Sequence, residues 1–222
     1  MDKIEFKDGR FIVPDTPSIL YALGDGIGPE ITRASISVID AAIEKAYGRN
    51  KKIGWIEVSA GEEAEKKTGK RLPEETLESI KEHRLLFKGP LETPVGKGFR
   101  SLNVTIRLMM DLYANIRPVK YFNGLESPLR NPDKVDLVVF RENTDDLYTG
   151  IEWQAQSEEA KKLRVFLNDS LGVKVSDDSG IGIKPMSKMK TQRITRMAIK
   201  YALQNKRRSA SSHCTSNIIL LQ

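Results

Sequence analysis

The sequence predicts an α/β fold in which buried strands alternate with helices. Residues 19–23 are predicted to form a short buried strand, and residues 53–60 and 84–88 two further strands. The segments between them carry apolar residues at helical spacing, and a glycine-rich turn at residues 24–28 joins the first strand to the first helix. Because strand–helix–strand order is typical of layered α/β folds, we expect a sheet covered by helices.

The elements of the first 50 residues follow from local signals. Asp8 and Gly9 form a turn signal between apolar residues, which predicts a hairpin before the first buried strand. The first helix has Pro29 in its first turn and is expected to end near Tyr47, since Gly48 follows. One apolar face of this helix comprises Ile31, Val38, Ala42 and Ala46.

The turn at residues 24–28 matches a dinucleotide-binding fingerprint only in part. Pro29 stands where the last glycine of that fingerprint belongs, so the pattern is a weak indication of a nucleotide site. A helix over residues 73–83, with Leu77 and Ile80 inward, then precedes the strand at residues 84–88.

Residues 88–117 carry the main functional signal. Their first part cannot sustain regular structure but lets backbone N–H groups approach a ligand, because it contains Gly89, Pro90, Thr93, Pro94, Gly96 and Gly98. Ser101 is a helix N-cap candidate, and Asn103, Arg107 and Arg117 follow it. A helix N-terminus and planar guanidinium donors together suit a ligand that carries carboxylates or phosphates.

The second half continues with strands at residues 114–122 and 135–141. The latter contains the apolar run 137–140, which predicts a central position in its sheet, and Arg141 lies at its end, where α/β folds place ligands. Ser157 is expected to cap a helix that Gly172 ends, and Ser187 to start a helix that reaches Asn205. The inward face of the Ser157 helix is predicted to comprise Ala160, Leu163, Leu167 and Leu171.

Bulk properties exclude several classes of protein. The chain has 222 residues and a formal charge of +6, dispersed except for the run at residues 206–208, and no nucleic-acid-binding motif accompanies it. Neither a bilayer-spanning run nor a signal peptide is evident, and the single cysteine, Cys214, fits a reducing compartment. We therefore expect a cytoplasmic chain that binds neither nucleic acid nor membrane. His83 and His213 are too isolated to suggest a metal site, and Cys214 lacks the surroundings of a nucleophile.

Six motifs carry a resemblance to a known family. They are GDGIGPE at 24–30, GPLETPVG at 89–96, RSLNVTIR at 100–107, YANIRPV at 113–119, FRENTDDLYTGIEW at 140–153 and GIGIKPMS at 180–187. In this order they resemble the isocitrate dehydrogenases of the isocitrate/isopropylmalate dehydrogenase family. By family pattern, the Ser-Leu-Asn of the third motif separates the isocitrate enzymes from those that act on isopropylmalate.

The resemblance implies an isopropylmalate-dehydrogenase-like α/β fold, with an incomplete large domain and a small domain with a dimer clasp. Residues 1–112 would be the N-terminal part of the large domain, and residues 113–145 the first part of the small domain. Residues 146–184 would form the clasp, which interlocks with a second subunit to make a homodimer. Residues 185–222 would be the truncated second part of the small domain.

The resemblance also implies roles for individual residues. The three carboxylates of isocitrate would be bound by Ser101, Asn103, Arg107, Arg117 and Arg141. Tyr148 would donate a proton to the enol formed after decarboxylation. The nicotinamide end of NADP, or alternatively NAD, would lie near Lys88, Glu92 and Thr93. The reaction would require Mg²⁺ or Mn²⁺, for which no ligand is identified in this chain.

Each role has a structural alternative. A lone arginine is more often part of a surface ion pair, and Tyr148 could simply anchor the clasp. Glu142 could pair with one of the binding arginines. The loop that carries Lys88, Glu92 and Thr93 could be a structural turn.

The sequence departs from the family pattern after Ser209. A strand and a His-Lys-Gly-Asn-type motif would follow there, whereas this chain has SASSHCTSNIILLQ, with His213 and Asn217 as candidate remnants. The motif's lysine, the metal-binding aspartates and the adenosine site are not recognised, so the chain as written is expected to be inactive. The alternatives are a non-catalytic remnant that binds tricarboxylates or dimerises, and an isopropylmalate or homoisocitrate dehydrogenase.

Overall fold

The computed structural model of the protein describes residues 2–93, 101–213 and 218–221. They divide into two compact units, Met1–Ile106 and Arg107–Gln222. Within the described residues, no helix combines the length and the apolar character needed to cross a membrane.

The first unit contains a parallel sheet with helices between its strands. Its elements are β1 (Glu5–Lys7), β2 (Arg10–Ile12), β3 (Ser18–Ala22), α1 (Gly28–Tyr47), β4 (Gly54–Glu57), α2 (Glu62–Thr68), α3 (Glu74–His83) and β5 (Leu86–Lys88). The strands β1 and β2 form the hairpin predicted around Asp8 and Gly9. The strand order is β4-β3-β5, with both pairs parallel, as strand–helix–strand connections require. The α/β class predicted from the sequence is therefore confirmed.

The core of the first unit lies against the central strand β3. Leu20 and Ala22, which share one face of β3, are fully buried, whereas Ile19 and Tyr21 on the other face are only partly buried. Trp55 of β4 packs across the sheet, its ring 6.2 Å from that of Tyr21 and 5.9 Å from that of Phe87. Aromatic contacts across strands stabilise the sheet.

Helix α1 packs through a different face from its predicted apolar one. Ile31 and Val38 are exposed, as are Ala42 and Ala46. The less exposed face is instead formed by Thr32, Ile36, Ile39 and Ile43. Both sets recur at helical spacing, so periodicity could not decide between them. The Thr32 hydroxyl donates to the carbonyl of Leu23, which ties this second face to the end of β3.

Helix α4 (Leu102–Met109) follows, and the second unit is built on an antiparallel sheet. Its remaining elements are β6 (Ala114–Lys120), β7 (Asp136–Glu142), β8 (Glu152–Trp153), α5 (Glu158–Leu171), β9 (Ile181–Gly182), α6 (Lys188–Gln204), β10 (Ala210–His213) and β11 (Ile218–Leu221). The strand order is β10-β11-β7-β6. The interior position predicted for β7 is confirmed.

Helix α6 covers one face of this antiparallel sheet. Val138 and Phe140 of β7 are fully buried against Ile194 and Ala198 of α6, and Phe140 also packs on Tyr201, with 5.3 Å between ring centroids. Strand β11 contributes buried residues too, including Leu221. Ile219 and Leu221, which lie beyond Ser209, are thus part of the core, although the sequence there departs from the expected motif.

Residues 146–184 form a thin layer with little core. Strands β8 and β9 pair as a two-stranded ribbon beside α5, whose N-cap Ser157 accepts the N–H of Ala160 as predicted. Ala160 is buried, but Leu171 is exposed, contrary to the predicted inward face. Helix α6 begins in the same way as α5, since the Ser187 hydroxyl accepts the N–H of Lys190.

Candidate active site

Two of the predicted binding arginines lie on one face of the second unit's sheet. Arg141 pairs with Asn115, and Arg117 pairs with Val139 two residues away. Directly paired residues project to the same side and successive residues alternate, so Arg117 and Arg141 share a face. Val138 and Phe140 project to the other face, which α6 covers.

The third arginine, Arg107, belongs to the same positive cluster. Partial burial lowers the pKa of Arg141, and the like charges of Arg117 and Arg107 lower it further, whereas Asp146 opposes the change. A guanidinium nevertheless keeps its charge at neutral pH. Arg107 and Arg117 both repel Arg141, and an anion with several carboxylates would relieve that repulsion.

Tyr148 lies against this cluster. It belongs to a short 3-10 helix, Asp146–Thr149, and the Arg141 guanidinium carbon is 4.4 Å from the centroid of its ring. The turn is held locally, because the Asp146 carboxylate accepts the N–H of Leu147 at 2.7 Å and lies 3.4 Å from Lys184. The structure thus brings Tyr148 beside Arg141.

Asn115 is a site residue that the sequence analysis did not single out. Its side-chain oxygen accepts the Nε–H of Arg117 at 3.1 Å. It lies two residues before Arg117 in β6, on the same face of the strand. Strand alternation around Arg117 was the signal that could have identified it.

Glu142 does not pair with a binding arginine, so that alternative is wrong. As the neighbour of Arg141 in β7, it projects to the opposite face of the sheet, and it is 2% exposed. Its carboxylate accepts the N–H groups of Thr144 and Asp145 at 2.7 and 2.6 Å. Its cationic neighbour is Arg193 of α6, at 3.8 Å.

The predicted cofactor loop lies in the first unit and is held by Asp25. Lys88 ends β5, while Glu92 and Thr93 follow on an exposed segment. The buried Asp25 carboxylate accepts the N–H of Glu92 at 2.8 Å and that of Glu62 at 2.7 Å. Asp25 was not singled out because its partners are distant in the sequence.

The glycine-rich turn packs against that same loop. A Cβ on Gly24 would lie 2.2 Å from the carbonyl oxygen of Pro90, and one on Gly89 would lie 2.0 Å from that of Leu23. The glycines at these positions therefore permit two backbone segments to touch. This contact explains Gly24 without a dinucleotide.

Ser101 and Asn103 lie at the start of α4. The Ser101 carbonyl accepts the N–H of Thr105 at 2.9 Å, and the Asn103 side chain donates to the carbonyl of Leu91 at 3.0 Å. Asn103 thereby also supports the loop that carries Glu92 and Thr93. The predicted loop positions Pro94, Gly96 and Gly98 fall outside the described residues, as do Cys214 and Asn217.

A resident metal ion does not fit the described residues. Among residues 2–93, 101–213 and 218–221, no three His, Cys, Asp or Glu side chains are grouped so that they could hold one. The buried carboxylates of Asp25 and Glu142 are already occupied by backbone N–H groups.

Comparisons with known proteins agree with the fold and the motifs. Residues 18–221 match the isocitrate/isopropylmalate dehydrogenase family, and the chain belongs to this family. The match extends through β11, despite the departure after Ser209.

Individual relatives point to one branch of the family. The chain is 53% identical over 218 residues to isocitrate dehydrogenase (NADP) of Archaeoglobus fulgidus, covering 98% of this chain and 52% of that protein. It is 52% identical to the enzyme of the same name from Caldococcus noboribetus, covering 90% of this chain and 46% of that protein. A crystal structure of isocitrate dehydrogenase from Methylococcus capsulatus superposes with a TM-score of 0.69 at 38% identity, covering 86% of this chain and 49% of that one. The chain thus spans about half the length of the curated relatives it matches.

Proposed function

We propose that the protein provides the isocitrate-binding part of an isocitrate dehydrogenase, which oxidises isocitrate to 2-oxoglutarate and CO₂ with NADP. The observation that carries this proposal is the positive cluster of Arg107, Arg117 and Arg141 with Tyr148 beside it. The curated relatives bear the name isocitrate dehydrogenase (NADP), which favours this substrate over isopropylmalate.

In the proposed reaction the arginines fix the carboxylates of the substrate. Ser101 and Asn103 would contribute neutral hydrogen bonds to one carboxylate, as the resemblance implies. Bound NADP⁺ would supply the hydride acceptor for the reaction. Once CO₂ has been lost, the Tyr148 hydroxyl would donate a proton to the carbon that carried the lost carboxylate. Arg141, stacked on the Tyr148 ring, would keep the phenol near that carbon.

The cofactor and metal assignments belong to the same proposal. Lys88, Glu92 and Thr93 would lie near the nicotinamide, on the loop that Asp25 and Asn103 hold. The requirement for Mg²⁺ or Mn²⁺ stays an expectation from the resemblance, and the described residues include no group that would hold the ion. The expectation that the 222-residue chain lacks turnover by itself stays a prediction, which an assay of reduced cofactor would check.

We further propose a homodimer formed through residues 146–184, in the cytoplasm. The support is that this layer leaves large apolar side chains uncovered, among them Val165 and Phe166 of α5. A two-stranded ribbon beside one helix is also too small to be stable by itself.

Calorimetric titration with isocitrate tests the substrate assignment. The chain should bind isocitrate more tightly than isopropylmalate. Arg141→Lys should weaken isocitrate binding about 10- to 100-fold, the size of a lost charge-assisted hydrogen-bond pair. Arg196→Lys, on the exposed side of α6, is the matched control and should leave the affinity unchanged. Equal binding by wild type and Arg141→Lys would contradict the proposal.

A further inference from the structure

The segment between Arg141 and Tyr148 is held by buried charges rather than by apolar packing. Glu142 and Asp145 are almost completely buried, at 2% and 3% exposure. Both carboxylates accept hydrogen bonds from nearby backbone N–H groups. Glu142 accepts those of Thr144 and Asp145, and Asp145 accepts that of Ser187 at 2.6 Å. Buried anions of this kind require cations close by.

Helix α6 supplies those cations. Lys190 lies 3.5 Å from the Asp145 carboxylate and donates to the carbonyl of Thr144 at 2.7 Å. Arg193, one turn later, donates to the Thr144 hydroxyl at 2.6 Å and lies 3.8 Å from Glu142. Lys190 and Arg193 of α6 thus lie beside the carboxylates of Asp145 and Glu142, respectively.

Arg193 also reaches the segment that leads into β6. It donates to Asp111 at 2.8 Å, and its guanidinium carbon lies 4.3 Å from the centroid of the Tyr113 ring. The backbone of Asn143 adds a link, since its N–H donates to the carbonyl of Tyr113 at 3.0 Å. One guanidinium therefore joins the start of the strand that carries Arg117 to the end of the strand that carries Arg141.

We propose that Arg193, assisted by Lys190, is a positioning residue for Arg141 and Tyr148. It lies on the opposite face of the sheet from the binding arginines and acts on them through Glu142 and Thr144. If the pairing were lost, the buried Glu142 carboxylate would have to reorient or take up water, and the turn that leads to Tyr148 would shift. The inference rests on the proposed function, because that function gives Arg141 and Tyr148 their roles.

The test follows the Arg141 Nε–H signal by NMR, without any ligand. The Tyr148 ring beside the guanidinium should displace this signal from its ordinary position, and Arg141→Lys assigns it by its disappearance. Arg193→Ala should return the signal toward the ordinary position, and Arg193→Lys, which keeps the charge, should restore part of the displacement. Arg196→Ala, an exposed arginine on the same helix, is the matched control and should leave the signal unchanged.

A second variant covers the case in which Arg193→Ala does not fold, and the isocitrate affinity is a second measurement. Thr144→Val removes only the hydroxyl between Arg193 and Glu142, so it replaces Arg193→Ala if that variant does not fold. Isocitrate affinity should fall about tenfold in the variant that is used. A lower unfolding temperature with the Arg141 signal unmoved would show a purely structural role and overturn the inference. If the wild-type chain bound no isocitrate, the proposed function would fail, while the ligand-free signal would still decide the positioning role.

Discussion

At the scale of single residues, opposing effects act on the pKa of Arg141. Its burial and the positive charges of Arg107 and Arg117 disfavour its charged form, while Asp146 favours it. The ring of Tyr148 adds an attractive contact to the guanidinium face. Asp146 opposes the repulsion, and under the proposed function a bound anion with several carboxylates would relieve it further.

A second charged residue of the same strand predicts a pH effect on stability. The hydrogen bond from Arg207, at 2.6 Å, lowers the pKa of Asp136 from its ordinary value of 3.8. A lowered folded-state pKa means that the stabilisation is fully present above 3.8 and is lost as the pH falls through the lowered value. Asp136 is exposed, so the effect is small and screened by salt.

Thermal unfolding of Asp136→Asn against wild type would check this effect. The variant should unfold at a slightly lower temperature at about pH 7, and the difference should vanish once the pH is well below the lowered pKa of Asp136. Asp133→Asn, three residues earlier, is the control. A difference that persisted at the lower pH would show that charge is not its cause.

At the scale of elements, the sequence correctly predicted the features that depend on interactions between residues close in the chain. The caps at Ser157 and Ser187 and the turn at Asp8-Gly9 were found, because their hydrogen bonds join residues close in the sequence. The predicted buried face of α1 was wrong, because segments distant in the sequence determine which of its two apolar faces is covered. Helix α2 was missed, since its polar sequence carries almost no apolar period.

In the candidate site, too, long-range contacts were the features that the sequence did not reveal. The motifs pointed to Arg107, Arg117, Arg141 and Tyr148, and the roles that the family resemblance implies for them stay predictions. Asp25 and Arg193 were missed, because their partners lie 67 and 49 residues away in the chain. A single sequence contains no signal for such long-range pairs, whereas Asn115 could have been found from strand alternation.

The contact between the glycine-rich turn and the cofactor loop predicts a sharp difference between two glycines. Gly24 and Gly9 both have positive φ, of 83° and 76°, but only Gly24 touches another backbone segment. Gly9→Ala should cost roughly 1 kcal/mol for its φ alone, and Gly24→Ala should cost about 2 kcal/mol more for the contact with Pro90. Denaturant unfolding of the two variants would measure both, and equal losses would refute a packing role for Gly24.

At the scale of the whole molecule, the thin layer of residues 146–184 predicts self-association. Val165→Asp on α5 would place a charge on the proposed interface and should convert a dimer into a monomer. Val38→Asp on α1 is the matched control, since this valine is also exposed but lies in the other unit. Light scattering at micromolar concentration would give the two masses. A wild-type monomer, or a dimer that survives Val165→Asp, would exclude this interface.

The order of strands in the second unit has a consequence for folding rate. Strand β7 lies between β6 and β11, and Phe140 pairs with Ile219, a separation of 219 − 140 = 79 residues. Closing so long a loop costs conformational entropy before this pair contributes any stability. This cost slows formation of the sheet. During synthesis, β7 would leave the ribosome with one edge unpaired and stay so until β11 emerged. Over that interval this edge is where a nascent chain of this protein is most exposed to aggregation or to capture by a chaperone.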